Sequence, residues 1–215
     1  MSRRKPAGEA TNAAAKAAGK AYHHGDLSRA LVDAAIESVE ADGLEGLSLR
    51  KVARAAGVSQ AAPYAHFADK QALLSAVAER GLRELSASMA ETARGTRTPA
   101  ARVRALARGY VRFATARPAL FRLTFSWEKT AGLRDAALAE AGAEAYGMIE
   151  QAVAAYREKE RSSRVSNAVA ATAAWALVHG LATLVVDEMI DAPSSAGELE
   201  DALIDPVAGL LLSGL

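Results

Sequence analysis

Residues 47–70, LSLRKVARAAGVSQAAPYAHFADK, decide the fold. Leu49, Val52, Ala53 and Ala56 recur at i, i+3, i+4 and i+7, the spacing that gathers side chains on one face of a helix, while Arg50, Lys51 and Arg54 fall elsewhere. Ser48 stands where an N-cap belongs, its hydroxyl able to accept from a first-turn N–H that has no partner inside the helix. Gly57 follows the last periodic residue and can adopt the left-handed conformation that ends a helix without a Cβ clash. The spacing predicts a short helix, a turn through Val58, and a second short helix capped by Ser59 and running through Phe67. Pro63 falls early in that second helix, where N–H groups lack intrahelical partners. Tyr64 and Phe67 are three apart, which leaves Gln60, Ala61, Ala62 and His66 facing outward. So short a helix nucleates poorly alone and has to be held by neighbours.

The rest of the chain supplies those neighbours as more helix. Of 215 residues, 51% are apolar and only 5% aromatic. Much of the apolar fraction is alanine, and no alternating strand pattern of useful length occurs, so the fold class is all-α with about nine helices. Ahead of the central stretch, Leu27, Leu31, Ala34, Ala35 and Val39 form a stripe that predicts a helix from an Asp26 cap to Asp42, ended by Gly43. Behind it, Asp69 caps a helix whose broad apolar face includes Leu73, Leu74, Val77, Ala78, Leu82 and Leu85. The break Arg94-Gly95-Thr96-Arg97-Thr98-Pro99 starts a new bundle, with Thr98 as cap and Pro99 at the first helical position. Further helices are expected over 99–116, across the aromatic stretch Ala119 to Trp127, from Leu133 to Glu160, from Val165 to Ile190 and from a Ser195 cap to about Leu212. The fourth of these ends at Ala192-Pro193, and Pro206 kinks or divides the last. The expected divisions are a disordered basic arm over 1–22, a helix-turn-helix unit over 23–70, a connecting helix over 71–93 and a second helical region over 94–215.

Composition excludes several chemistries. With no cysteine, the chain has no disulfide, thiolate nucleophile or thiol sensor. Neither a metal nor a cofactor is expected. His23 and His24 are adjacent and poorly placed to share an ion, and no HExxH motif, phosphate-cradling glycine loop or nucleophile pair is present. An enzyme is therefore the disfavoured reading. The net charge of +1 hides an asymmetry, since Arg3, Arg4, Lys5, Lys16 and Lys20 face a single Glu9 in the first 25 residues. Two readings of that arm stay open: a phosphate or minor-groove contact, and a solvated tail. It lacks the apolar run of a secretory signal. Ala168 to Val186 carries no formal charge and is long enough to cross a bilayer. Its alanines, Thr172, His179, Gly180 and Thr183 favour a buried helix of a soluble cytoplasmic protein, with no membrane partner.

Arg50, Val52-Ala53, Ala56-Gly57-Val58-Ser59, Tyr64, His66-Phe67 and Lys70 together resemble the DNA-binding domain of the TetR (tetracycline-repressor-like) regulators, and the likeness extends over about residues 24–85. Trp175, His179 and Gly180, preceded by the segment FRLTFS, look like the WHG-type C-terminal domain of a subset of them. The resemblance implies a homodimeric repressor on a palindromic double-stranded operator, released by a small-molecule effector of unknown identity. Gln60 is then the side chain suited to a base edge, since its amide can pair bidentately with adenine, and Ala61 and Ala62 can touch a thymine methyl. Ser48, Lys51, Tyr64, His66 and Lys70 suit phosphate contacts that fix register, and Arg50 suits either role. Tyr110, Phe113, Phe121, Phe125, Trp127, Tyr146, Trp175 and His179 have two readings, an apolar pocket with polar handles and plain core. Ala176 and Gly180, four apart, permit the close approach of another helix, and the resemblance places the subunit interface on the last two long helices. A DNA-binding regulator or architectural protein without an effector is the second reading.

Overall fold

The computed structural model describes residues 24–128, 135–161 and 165–214, and every regular element among these is helical. The 1–22 arm and the breaks at Lys129 to Gly132 and Ser162-Ser163 lie outside the described residues. Helix α1 (His24–Asp42) begins two residues ahead of Asp26, which places that residue in the first turn instead of at the cap. It buries Leu31, Ala34, Ala35, Ile36 and Val39 and closes at Gly43, whose φ of 72° suits glycine. Helix α2 (Leu49–Ala55) starts where Ser48 accepts the Lys51 N–H at 3.2 Å and ends at Gly57, φ 68°.

The second helix of the unit differs from expectation. Only Ala62–Ala65 is regular, as one turn of 3-10 helix, and the Ser59 side chain makes no cap bond to it. An α-helix capped at Ser59 would need the Pro63 N–H to donate to the Ser59 carbonyl, and proline has no N–H to give. Ala62 takes that carbonyl instead at 3.0 Å, and Tyr64 and His66 bond three residues back, at 3.2 Å and 3.0 Å. Pro63 and Phe67 are buried, and the Phe67 N–H donates to the Pro63 carbonyl at 2.8 Å. Core contacts at both ends thus hold a turn too short to be stable alone.

Helix α3 (Lys70–Ala93), capped by the Asp69 carboxylate on the Ala72 N–H at 2.8 Å, runs from this unit into the rest of the chain. It crosses α4 (Pro99–Ala116) at Gly109, where the Ser88 hydroxyl donates to the Gly109 carbonyl and the Thr92 hydroxyl to the Ala105 carbonyl, both at 2.7 Å. On its other flank Gly81 lies against Thr124 of α5 (Pro118–Glu128). The N-terminus of α5 is held by α1: Glu40 accepts the Ala119 and Leu120 N–H groups at 3.3 Å each and pairs with Arg117 at 3.2 Å, which also reaches Glu84 at 3.2 Å. These bonds tie the first helix to the fifth.

Helix α6 (Ala136–Glu160) starts three residues later than Leu133 because Asp135 caps it, accepting from Ala137 and Leu138 at 3.0 Å and 3.4 Å. Helix α7 (Asn167–Val186) stops four residues short of Ile190. Glu188 takes a positive φ of 53°, the Met189 N–H returns to the Leu184 carbonyl at 2.9 Å, and Arg122 of α5 holds the Val186 carbonyl (2.6 Å) and Asp187 (2.8 Å). Together they satisfy the helix end without glycine. The last segment divides as Pro206 requires: α8 (Ala196–Leu199), capped by the Ser195 hydroxyl on the Glu198 N–H at 3.3 Å, passes through a π turn (Glu200–Ile204) into α9 (Asp205–Gly214). Arg108 pairs with Asp205, and Arg112 with Glu200 at 2.9 Å, which fastens this divided helix to α4.

Asp135 also accepts the Ser75 hydroxyl of α3 at 2.5 Å, and that bond, against the opposing effect of burial and aided by the two cap amides, holds its carboxyl below the ordinary carboxylate range. A carboxyl lowered in the folded state contributes stability above its unfolded pKa and loses it as pH falls through the folded value. Asp135→Ala should therefore lower the melting temperature at neutral pH by a few degrees, from about 1 kcal/mol of lost capping. The gap to the parent should close in acid. A gap that persists unchanged in acid would contradict this.

Candidate nucleic-acid interface and effector cavity

Burial of Pro63 and Phe67 turns the other side chains of the 3-10 turn outward. Tyr64 is 55% exposed, which excludes a core role, and Gln60 and Ala61 at the start of the turn are exposed, with Ala62 half-buried. Ser48, Arg50 and Lys70 are exposed at the ends of the flanking helices. His66 is half-buried, its ring 6.4 Å from that of Phe67. Lys51, expected on phosphate, instead pairs with Asp42 at 2.6 Å. With both side chains well exposed this pair is a weak one that a phosphate can displace. Its sequence signal, an acid nine residues upstream across a loop, carries no helical periodicity.

Farther along α3 lies a cavity of about 300 Å³ between α3, α4, α5, α6 and α7. Of the eight aromatic and histidine positions singled out, Tyr110, Phe125, Tyr146 and Trp175 line it. Phe113 and Phe121 are buried core, and Trp127 lies on α5 with its side chain outside the described residues. His179 sits behind the wall: its Nδ1 is 2.9 Å from the Tyr110 hydroxyl, and its ring is 4.5 Å from that of Phe125 and 5.5 Å from that of Phe121. The Trp175 indole N–H donates to the same Tyr110 oxygen at 3.4 Å. Nearer the surface, the Tyr146 and Thr172 hydroxyls are 3.2 Å apart. Leu82, Leu85, Met89, Ala145 and Ile149 complete the apolar lining. Leu82, Leu85 and Met89 belong to the helix that the sequence assigned to connection alone. Their apolar stripe reads equally as plain core, so periodicity had no means of separating the two roles.

The expectation that α7 is buried is corrected. Only 33% of its apolar window is buried, along Ala170, Ala171, Ala174, Val178, Leu181 and Ala182. Val169, Ala173, Ala176 and Leu177 are exposed, with Gly180 half-buried on the same face. Among the described residues, Ala176 is thus exposed and Gly180 meets no helix of its own chain, since a Cβ there would find nothing within 4 Å. Leu184 of α7 and Leu210 of α9 are exposed too, the latter 73%. An uncharged helix looks alike whether its second face meets its own chain or another copy.

Comparison with known proteins bears on the family and the fold. A family model described as "Bacterial regulatory proteins, tetR family" matches residues 31–77, and one described as "Tetracyclin repressor-like, C-terminal domain" matches residues 103–207. Among solved structures, the chain is similar to a protein with unknown function from Rhodococcus sp. RHA1, at 36% identity and a TM-score of 0.77, covering 90% of this chain and 97% of that one. It shares its fold with a TetR family transcription regulator from Marinobacter aquaeolei VT8, at 19% identity and a TM-score of 0.67 over 86% of this chain and 93% of the other. It shares it also with the transcriptional regulator FadR from Bacillus subtilis in complex with stearoyl-CoA, at 16% identity and a TM-score of 0.66, over 87% and 98%. No curated protein matches the chain.

Proposed function

Since this chain belongs to the tetR family of bacterial regulatory proteins and is thereby a DNA-binding transcriptional regulator, we propose that it works as a homodimeric repressor released from its operator by a small molecule. Residues 23–70 read DNA, the helix over 71–93 connects, and residues 94–215 bind the effector and pair the subunits. The site of action is the cytoplasm. One observation carries the effector reading: the cavity wall includes Leu82, Leu85 and Met89 of α3, the helix that begins at Lys70 directly after the DNA-facing turn. A molecule that displaces this wall displaces the start of the same rigid helix.

The consequence is large because two recognition elements must dock together in successive major grooves about 34–36 Å apart. A ligand that prefers the non-binding state about 100-fold weakens DNA affinity by up to roughly 3 kcal/mol. The outward face of α7 and α9, with Val169, Ala176, Gly180 and Leu210, joins the two subunits.

Binding to DNA upstream of its own gene, titrated at two salt concentrations beside a scrambled duplex, tests this. The expected preference is about a thousandfold, with two protomers per site. One protomer at saturation would reject the dimer, and a specific complex that no compound releases would favour regulation without an effector. In the same assay, Gln60→Ala should change the preferred sequence, whereas Lys70→Ala should weaken every duplex alike and reduce the salt slope by about one unit. Identical effects from the two substitutions would remove the base-reading role of Gln60.

A further inference from the structure

We propose that the cavity takes an uncharged, mainly hydrocarbon molecule of one or two rings that carries a hydrogen-bond acceptor such as a carbonyl oxygen, met by the Trp175 indole N–H. This rests on the effector reading above and adds the chemistry of the molecule.

Size comes first. At about 300 Å³ the space stands at the small end of the range for ligand cavities, roughly 300–1,000 Å³. Charge comes next. Among the described residues that line it, none is Arg, Lys, Asp, Glu or His; they are Leu, Met, Ile, Ala, Gly, Phe, Tyr, Trp and Thr, whose polar side-chain groups are the Tyr110, Tyr146 and Thr172 hydroxyls and the Trp175 N–H. An ionic group entering such a space gives up its hydration and finds no countercharge among these residues. The aromatic residues do not replace one, because they spend their faces and edges on each other. Tyr110 stacks with Phe125 at 6.1 Å, and Tyr146 meets Trp175 edge-on at 5.8 Å, so each ring already packs against another.

The polar handle is specific. An indole N–H can only donate, and the one from Trp175 reaches the Tyr110 oxygen at 3.4 Å, beyond the about 2.7–3.2 Å of a well-formed N–H to O bond. The Tyr110 hydroxyl is also engaged with His179 Nδ1 at 2.9 Å. A donor held this loosely in an apolar wall is better satisfied by an acceptor oxygen in the cavity, and a ligand lacking that oxygen forgoes the bond.

Four probes with nearly the same skeleton separate the cases: butylbenzene, benzylacetone, phenylbutyrate and phenylbutylamine. Binding to the full-length protein is read by calorimetry and melting, and operator release is read on genomic fragments selected by the protein itself. Benzylacetone should bind about tenfold more tightly than butylbenzene, and the two ions at least about a hundredfold more weakly than benzylacetone. Trp175→Phe leaves a smaller aromatic ring in the wall and removes the N–H, so it should erase the preference of benzylacetone over butylbenzene whatever it does to the affinity of both. Tighter binding of phenylbutyrate or phenylbutylamine than of benzylacetone would overturn the inference and leave an effector-controlled repressor intact, and so would a ketone preference that survives Trp175→Phe. Failure of all four to bind the correctly folded protein would overturn it as well. Binding in the expected order without release of DNA would support the ligand class and instead reject the repressor mechanism.

Discussion

Gly109→Val should lower the melting temperature by about 6–12 °C, the fall expected for roughly 3 kcal/mol in a chain of this size. A Cβ at this position would stand 2.6 Å from the Met89 Cα and 2.6 Å from the Ser88 carbonyl oxygen, and 2.5 Å from Thr92 Oγ1. The first two are backbone atoms, which cannot rotate away as the end of a side chain can. The helices must separate, and the bonds from Ser88 to the Gly109 carbonyl and from Thr92 to the Ala105 carbonyl stretch with them. Because Met89 also lines the cavity, ligand affinity should fall along with stability. Gly147→Ala supplies the control: it lies in α6 with nothing within 4 Å of a Cβ, so it should leave melting unchanged or raise it slightly. Calorimetry of the two variants decides the matter. A Gly109→Val protein melting within a degree or two of its parent would mean that the crossing is looser than described.

The second large effect concerns assembly. Gly180→Leu adds a side chain at a half-buried position where a Cβ would meet no described atom of its own subunit within 4 Å, so the subunit should fold with its helix content intact. In a twofold-symmetric pair the change occurs twice at the same contact, and the small stripe Ala173, Ala176 and Gly180 can no longer approach its mate. Sedimentation should report a monomer. DNA affinity should fall by about 10²–10⁴, since each recognition element then binds without the effective concentration supplied by its tethered partner. An unaltered sedimentation coefficient would remove this face from the interface.

What the sequence disclosed depended on how local the cause was. Ser48, Asp69, Thr98 and Ser195 cap the helices their spacing predicts, because a cap needs only an N–H about three residues on. The 3-10 turn was also decidable locally, yet it hinged on one bond: counted from Ser59, Pro63 is the first position whose N–H would have been used. The early end of α7 was not local at all. It depends on Arg122, on a helix 64 residues away in the chain, holding the Val186 carbonyl. The cavity divided along the same line, with Tyr110, Phe125, Tyr146 and Trp175 noticed as aromatic, and Leu82, Leu85 and Met89 indistinguishable from core until the helices were assembled around them.

The Glu40 carboxylate receives the Ala119 and Leu120 N–H groups from almost eighty positions along the chain. Both amides sit at a helix start, where no carbonyl of their own helix serves them. Whenever α1 swings away from α5, these two protons lose their acceptor together and become exchangeable with solvent, while the amides in the middle of α5 stay protected. Deuterium uptake at Ala119 and Leu120, followed with and without ligand, is thus a clock for how often the two ends of the molecule part company. It runs without an attached probe and without DNA.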